Sequence, residues 1–77
     1  MHALTLQNQE LKIGDTVFYI GEKGSQHQIE EANQLLQKQK SYTIINIQYG
    51  RFETYYILDG YDFIKFNALL FKNYYSL

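Results

Sequence analysis

The 77-residue chain contains no cysteine, no proline and no tryptophan. Without cysteine it can form neither disulfides nor thiolate metal sites. No apolar run approaches the ~20 residues of a membrane-spanning helix, and the first six residues lack the basic region of a signal peptide. We therefore expect a cytoplasmic protein that does not associate with membranes.

Excess positive charge is also missing. Seven basic and eight acidic residues give a formal net charge of −1. A domain that binds nucleic acid mainly through its phosphates normally carries a basic excess. Nucleic acid is therefore a less favoured partner than protein.

Catalytic and cofactor motifs are absent too. His2 and His27 are the only histidines, and neither belongs to a zinc-binding motif. Asp59 and Asp62 lie close together, but we interpret them as solvated residues at a turn, and Ser25 as a helix cap. Glycine-rich phosphate-binding motifs do not occur. The sequence predicts no enzyme, no cofactor and no metal site.

Aromatic residues are what the chain has in quantity, with eight tyrosines and five phenylalanines. Such a short chain holds one domain and buries only about 60% of the surface that its unfolded form exposes. Each aromatic side chain can bury ~150–250 Å². We expect several of these rings to build a small core.

Runs of β-branched and aromatic residues, separated by turn signals, predict a mainly β fold. The dipeptide Asp59-Gly60 predicts a hairpin with a type I′ turn. Residues 67–70 are expected to form a single helical turn, and residues 1–10 a flexible arm or a short edge strand. The predicted strands are 16–20, 42–49, 52–58, 61–66 and 71–75.

One amphipathic helix is predicted over 26–39, between the first and second strands. Ser25 and Gln28 have the spacing of a capping box. Apolar residues recur on one face of this segment at helical spacing. That face either plugs the sheet, or the opposite polar face is presented to a partner.

Four segments make the chain resemble bacterial and phage Src-homology-3-like domains. The resemblance covers roughly residues 11–73 and implies a small five-stranded barrel over 11–77, with the helix as an insertion. Members of this fold bind peptides, nucleic acid or partner proteins, and the missing tryptophan argues against proline-rich peptides. The segments are Gly14-Asp15-Thr16-Val17, Lys40-Ser41-Tyr42-Thr43-Ile44, Tyr55-Tyr56-Ile57-Leu58-Asp59-Gly60 and Phe66-Asn67-Ala68-Leu69-Leu70-Phe71.

Alternation along the strands sorts the rings into two faces. Val17, Tyr19, Tyr42, Ile44, Tyr56, Leu58 and Phe63 are expected inside. Phe18, Tyr49, Tyr55 and Tyr61 are expected outside, where they either bind a partner or cover the small core.

The prediction is a non-catalytic binding module for a protein partner or for a second copy of itself. A phage or mobile-element accessory protein that binds or inhibits a host protein fits this size and fold. The alternative is a nucleic-acid-binding barrel that uses Arg51, Lys65 and Lys72 beside aromatic rings. The predicted partner-binding residues are Phe18, Tyr49, Arg51, Tyr55, Tyr61 and Tyr74.

Overall fold

The computed structural model describes residues 11–73, which form a mainly β structure with one helix between the first two strands. All paired strands are antiparallel, in the order β4-β3-β2-β1-β5. Among these residues β4 does not pair with β5, so the sheet is open. The predicted arm 1–10 and Tyr74 lie outside the described residues. The elements are β1 (Thr16–Tyr19), α1 (Gln26–Asn33), β2 (Ser41–Tyr49), β3 (Thr54–Leu58), β4 (Phe66–Asn67), a 3₁₀ helix (Ala68–Leu70) and β5 (Phe71–Asn73).

The core lies on one face of the sheet and follows the predicted alternation on β1 and β3. Val17 and Tyr19 are fully buried, as are Ile44 and Leu58 across the sheet. Phe71 packs its ring against Tyr19, with 5.6 Å between the ring centroids. The predicted helical turn is confirmed as the 3₁₀ helix, which buries Leu70 in the same core.

A β-bulge in β2 changes which of its residues face the core. Ile44 pairs with Leu58 but Asn46 pairs with Ile57, so Ile45 is an extra residue. Past the bulge the odd-numbered residues lie on the core side, because Tyr49 stands opposite Thr54 and Ile47 opposite Tyr56. Uninterrupted alternation places Tyr49 on the outer face; the bulge moves it to the other face of the strand, where its ring is nevertheless exposed as expected, at 71%.

The connection after β3 differs from the predicted hairpin. Gly60 has a positive φ of 92°, whereas Asp59 does not, so the turn is not type I′. The Tyr61 amide donates to the Leu58 carbonyl at 2.9 Å, and the Ile64 amide to the Tyr61 carbonyl at 3.1 Å. These two successive turns replace most of the strand predicted over 61–66.

Two aromatic predictions fail in this segment. Phe63 was expected in the core but is fully exposed, at 101% of its reference area. Tyr61 was expected on the outer face but is half-buried, with its ring edge-on to Tyr42 and Phe66. In this loop the Tyr61 ring points toward the core, whereas the Phe63 ring faces solvent.

The helix begins where the capping box predicted. The Ser25 hydroxyl accepts from the Gln28 amide, and the Gln28 side chain accepts from the Ser25 amide, both at 3.1 Å. Its buried residue, Ala32, and the following Leu36 join the core. The apolar face of α1 therefore packs onto the sheet.

The helix ends at Asn33 rather than at residue 39. The Gln39 amide donates to the Tyr19 carbonyl at 2.6 Å, and the Tyr19 amide donates to the Lys40 carbonyl at 3.1 Å. The chain must leave the helix early to make these bonds beside β1. Gln39 adopts a left-handed conformation, with φ of 67°, where the chain enters β2.

Candidate functional site

The end of the β2–β3 hairpin and the 3₁₀ helix enclose an open groove of about 480 Å³. We call it the hairpin groove. Its volume falls within the ~300–1,000 Å³ that is usual for binding pockets. Its apolar lining consists of Leu11, Ile47, Tyr49, Phe52, Tyr56, Ala68 and Leu69.

One wall of the groove is the part of the hairpin that extends past β1. Strand β1 pairs with residues 41–43 of β2, whereas residues 46–49 pair only with β3 among residues 11–73. The turn that ends the hairpin is closed by the Gly50 amide, which donates to the Glu53 carbonyl at 2.7 Å. A Cβ on Gly50 would lie 2.8 Å from that carbonyl oxygen, so this close approach requires glycine.

The opposite wall is the 3₁₀ helix. The Asn67 side chain accepts from the Leu69 amide at 2.9 Å and so caps its first turn. With this geometry Leu70 points into the core and is 1% exposed, whereas Leu69 is 54% exposed at the groove. One of the two adjacent leucines stabilises the fold and the other lines the site.

Large apolar side chains are unusually exposed at this groove. Phe52 is 89% exposed and Tyr49 is 71% exposed. Together with Leu69 they form one concave apolar surface. Burying such rings against another molecule is favourable, since each covers ~150–250 Å².

Two charged residues, Arg51 and Glu53, flank Phe52 in sequence at the hairpin turn. The Arg51 guanidinium lies 6.0 Å from the centroid of Phe52, and the Glu53 carboxylate accepts a hydrogen bond from the Tyr55 hydroxyl. That hydrogen bond, followed by burial and by the negative charge of Glu53, raises the pKa of Tyr55. Within residues 11–73 neither Arg51 nor Glu53 has an oppositely charged side chain within ion-pair distance.

No protein-family model, curated protein or solved structure matches this chain.

Of the six predicted partner-binding residues, the structure brings two together. Tyr49 lines the hairpin groove, and Arg51 lies in the turn beside it.

Three of the other four predicted residues lie elsewhere. Tyr55 lies on the opposite face of the hairpin, where the Lys65 ammonium is 4.7 Å from its ring centroid. Phe18 is half-buried on β1, between Ser41 and Lys72 on the neighbouring strands. Tyr61 packs against the core, and Tyr74 lies outside the described residues.

Sequence reasoning missed Phe52 and Leu69. Phe52 was assigned to the start of the third strand, whereas β3 begins at Thr54 and Phe52 belongs to the turn. The Gly50-Arg51 pair indicated a turn there, but no pattern gave its length. Leu69 and Leu70 are consecutive in one helical turn, so at least one of them could have been expected to face outward.

A second cavity, of about 320 Å³, lies between α1 and the segment that leads into β4. Hydrogen bonds join the helical segment to the loop and strand opposite it at two places. The Asn67 side-chain amide donates to the Gln28 side-chain oxygen at 3.2 Å, and the Tyr61 hydroxyl donates to the Leu35 backbone carbonyl at 3.0 Å. This cavity is smaller than the groove and does not contain the exposed rings Tyr49 and Phe52.

The remaining candidates for chemistry lie apart from the groove. Asp59 and Asp62 are both exposed, as expected for turn residues. Across the part of the chain that the structure describes, no three histidine, aspartate or glutamate side chains come together as a metal site. No helix within residues 11–73 has the length and apolar character needed to cross a membrane.

Proposed function

We propose that this chain is a small, non-catalytic binding module whose hairpin groove binds a protein surface. The observation that carries the proposal is the presence of Tyr49, Phe52 and Leu69, all strongly exposed, on one concave surface. Contiguous exposed apolar surface is a feature of interaction sites. Aromatic residues are enriched at the centres of protein interfaces.

The resemblance to Src-homology-3-like domains supports a binding role for this fold. Under this proposal the five-stranded sheet is a partly open barrel of that type. The hairpin groove then takes the place of the tryptophan-containing peptide site found in eukaryotic Src-homology-3 domains. A cytoplasmic accessory protein of a phage or mobile element, acting on a host protein, fits a chain of this size. That biological setting rests on the resemblance alone.

Phe52 is the residue expected to contribute most to binding. It is the most exposed apolar side chain of the groove, and only in a complex would its ring leave water. Truncating an aromatic residue at the centre of an interface commonly costs ~2 kcal/mol or more, which is about a 30-fold loss of affinity. Its loss leaves the core untouched, so folding and binding can be measured separately.

The test is affinity capture with the immobilised chain, using Phe52→Ser against a matched variant, Phe63→Ser. Both phenylalanines are almost fully exposed, but Phe63 does not line the groove. We expect a stoichiometric protein partner that the original chain and Phe63→Ser retain and that Phe52→Ser loses. A partner retained equally by both variants, or the absence of both a captured partner and self-association of the chain, would contradict the proposal.

A nucleic-acid partner is the second candidate, because two cations lie over rings. Arg51 is near Phe52, and Lys65 is near Tyr55. Lys72, the third predicted cation, lies on β5 beside Phe18, so the three do not share one strand or turn. Glu53 at the same turn opposes phosphate binding.

Binding to a labelled single-stranded oligonucleotide at low salt separates this candidate from protein binding. A nucleic-acid site predicts binding that weakens as salt rises and with Arg51→Ala, but not with Lys38→Ala elsewhere on the surface. Failure to bind at low salt would eliminate this candidate.

A further inference from the structure

We infer that the partner of the hairpin groove is a second copy of this chain, joined to the first about a two-fold axis. The inference rests on the proposed function and names the partner. In this arrangement the turn of each hairpin inserts Phe52 into the groove of the other copy. A two-fold interface uses the same patch twice, so that patch must contain both a projecting group and a concavity that receives it.

The hairpin end supplies both. Phe52, 89% exposed in the turn, is the projecting group. The groove beside it, about 480 Å³, is lined by Ile47 and Tyr56 on the sheet side and by Leu69 on the other. Because projection and concavity share one surface, each copy can give and receive the same side chain.

The charges at the turn are compatible with the same pairing. Arg51 and Glu53 stand on either side of Phe52 in sequence and are opposite in sign, so the turn carries no net charge. The Glu53 carboxylate is hydrogen-bonded to Tyr55 on the other face of the hairpin, and two such turns can meet without repulsion. A turn with charges of one sign would instead repel its own copy.

The available apolar area sets the expected strength. The rings of Tyr49 and Phe52 can bury ~300–500 Å² per copy, against about 800 Å² per partner in a standard stable interface. The dimer is therefore expected to be weak, with a dissociation constant on the order of 10–100 µM, typical of small transient interfaces. It should form and dissociate within an accessible concentration range.

Sedimentation velocity on the full chain, from about 5 to 500 µM, tests the inference. We expect a concentration-dependent shift from monomer to dimer. Phe52→Ser should raise the dissociation constant at least tenfold, whereas Phe63→Ser should leave it within twofold. Circular dichroism melts of each variant check that the chain is folded.

The charge balance of the turn has its own test. Arg51→Glu and Glu53→Arg, made singly, should each weaken the dimer several-fold, because each gives the two meeting turns net charges of the same sign. The double variant with both changes restores the balance and should recover the original dissociation constant. Failure of the double variant to recover would overturn the role of charge balance in this contact.

A chain that stays monomeric up to 500 µM would overturn the inference as a whole. So would equal weakening by Phe63→Ser and Phe52→Ser. These outcomes are distinct from failure of the proposed function: a monomer whose captured partner is lost only with Phe52→Ser keeps the protein-binding groove and assigns it a different occupant. Salt-sensitive oligonucleotide binding by a monomer would assign it a nucleic acid instead.

Discussion

Tyr19 joins the sheet to the helix through one side chain. Its ring is fully buried in the core, and its hydroxyl donates to the Asn33 side-chain oxygen at 2.7 Å. Burial, and then the neighbouring Tyr42, raise the pKa of Tyr19 above its ordinary value of about 10. A residue placed here by simple alternation thus ties the stability of the fold to pH.

Stability should therefore fall at alkaline pH, in part through Tyr19. Because the pKa in the folded state is higher than in the unfolded state, the unfolded chain ionises first. The contribution is complete below pH ~10 and is lost as the pH rises through the folded-state pKa. We expect the free energy of unfolding in urea to fall less between pH 9 and 11 in Tyr19→Phe than in the original chain.

Phe63→Ser, at an exposed ring that carries no titratable hydroxyl, is the control, and its free energy of unfolding should fall with pH as that of the original chain does. At pH 7 the Tyr19→Phe change removes one hydrogen bond and should cost ~0.5–1.5 kcal/mol. An identical alkaline fall in Tyr19→Phe and the original chain would contradict this account.

The sequence predicts correctly which side chains are buried where a strand is regular. Val17 and Tyr19 were placed inside by alternation, and both are fully buried. Phe63 was misplaced because a loop breaks the period of two. Tyr49 is exposed as expected, at 71%, but a bulge places it on the other face of the strand, and neither interruption has a sequence signal of its own. The candidate site depends on the bulge, which turns Tyr49 toward the groove.

At the scale of elements, Gln28 links the start of α1 to the end of β4. Its side-chain oxygen accepts from the Ser25 amide at 3.1 Å and from the Asn67 side-chain amide at 3.2 Å. Asn67 is 3% exposed and is the buried polar residue of the core region described here. The same asparagine caps the 3₁₀ helix, so one chain of hydrogen bonds runs from the helix to the groove wall.

A double-mutant cycle should reveal this coupling. We expect Gln28→Ala and Asn67→Ala each to lower the free energy of unfolding, with an interaction energy of ~0.5–1.5 kcal/mol between them. Urea denaturation of the four chains measures it. The exposed pair Gln26–Glu30, hydrogen-bonded at 3.0 Å, provides the comparison and should couple by less than ~0.5 kcal/mol. Additive effects at Gln28 and Asn67 would contradict the link.

The start of α1 was more predictable than its end. The capping box placed the first turn of α1 correctly because its signal lies within four residues. The end of α1 at Asn33 depends on hydrogen bonds between residues 39–40 and Tyr19, which are distant in sequence. The predicted two-residue turn at Asp59-Gly60 is likewise replaced by a longer connection. In this connection Tyr61 packs against Tyr42 and Phe66, a tertiary contact that turn propensity does not include.

At the scale of the whole molecule, the order of elements and the mainly β class were predictable, since each strand has its own local signal. Whether the sheet closes was not, because closure depends on how β4 and β5 meet across the 3₁₀ helix. The groove was not predictable either. It exists because the β2–β3 hairpin extends past β1 while the 3₁₀ helix presents Leu69 beside it.

Substitutions at two consecutive leucines should therefore affect stability and binding separately. Leu70 is 1% exposed and joins the core, so Leu70→Ala should lower the free energy of unfolding by ~2–5 kcal/mol. Leu69 is 54% exposed, so Leu69→Ala should change it by no more than ~0.5 kcal/mol. Urea denaturation measures both.

In binding, the larger loss is expected for Leu69→Ala and the smaller for Leu70→Ala. At 15 °C and under conditions where each is still folded, Leu69→Ala should weaken capture of the partner, or self-association, several-fold. Leu70→Ala should weaken either one only in proportion to the fraction that has unfolded. Equal effects of the two leucines on binding, once the unfolded fraction is subtracted, would place the binding surface somewhere other than the groove. The fold would be unaffected by that result, because the core contacts of Leu70 do not depend on what the groove holds.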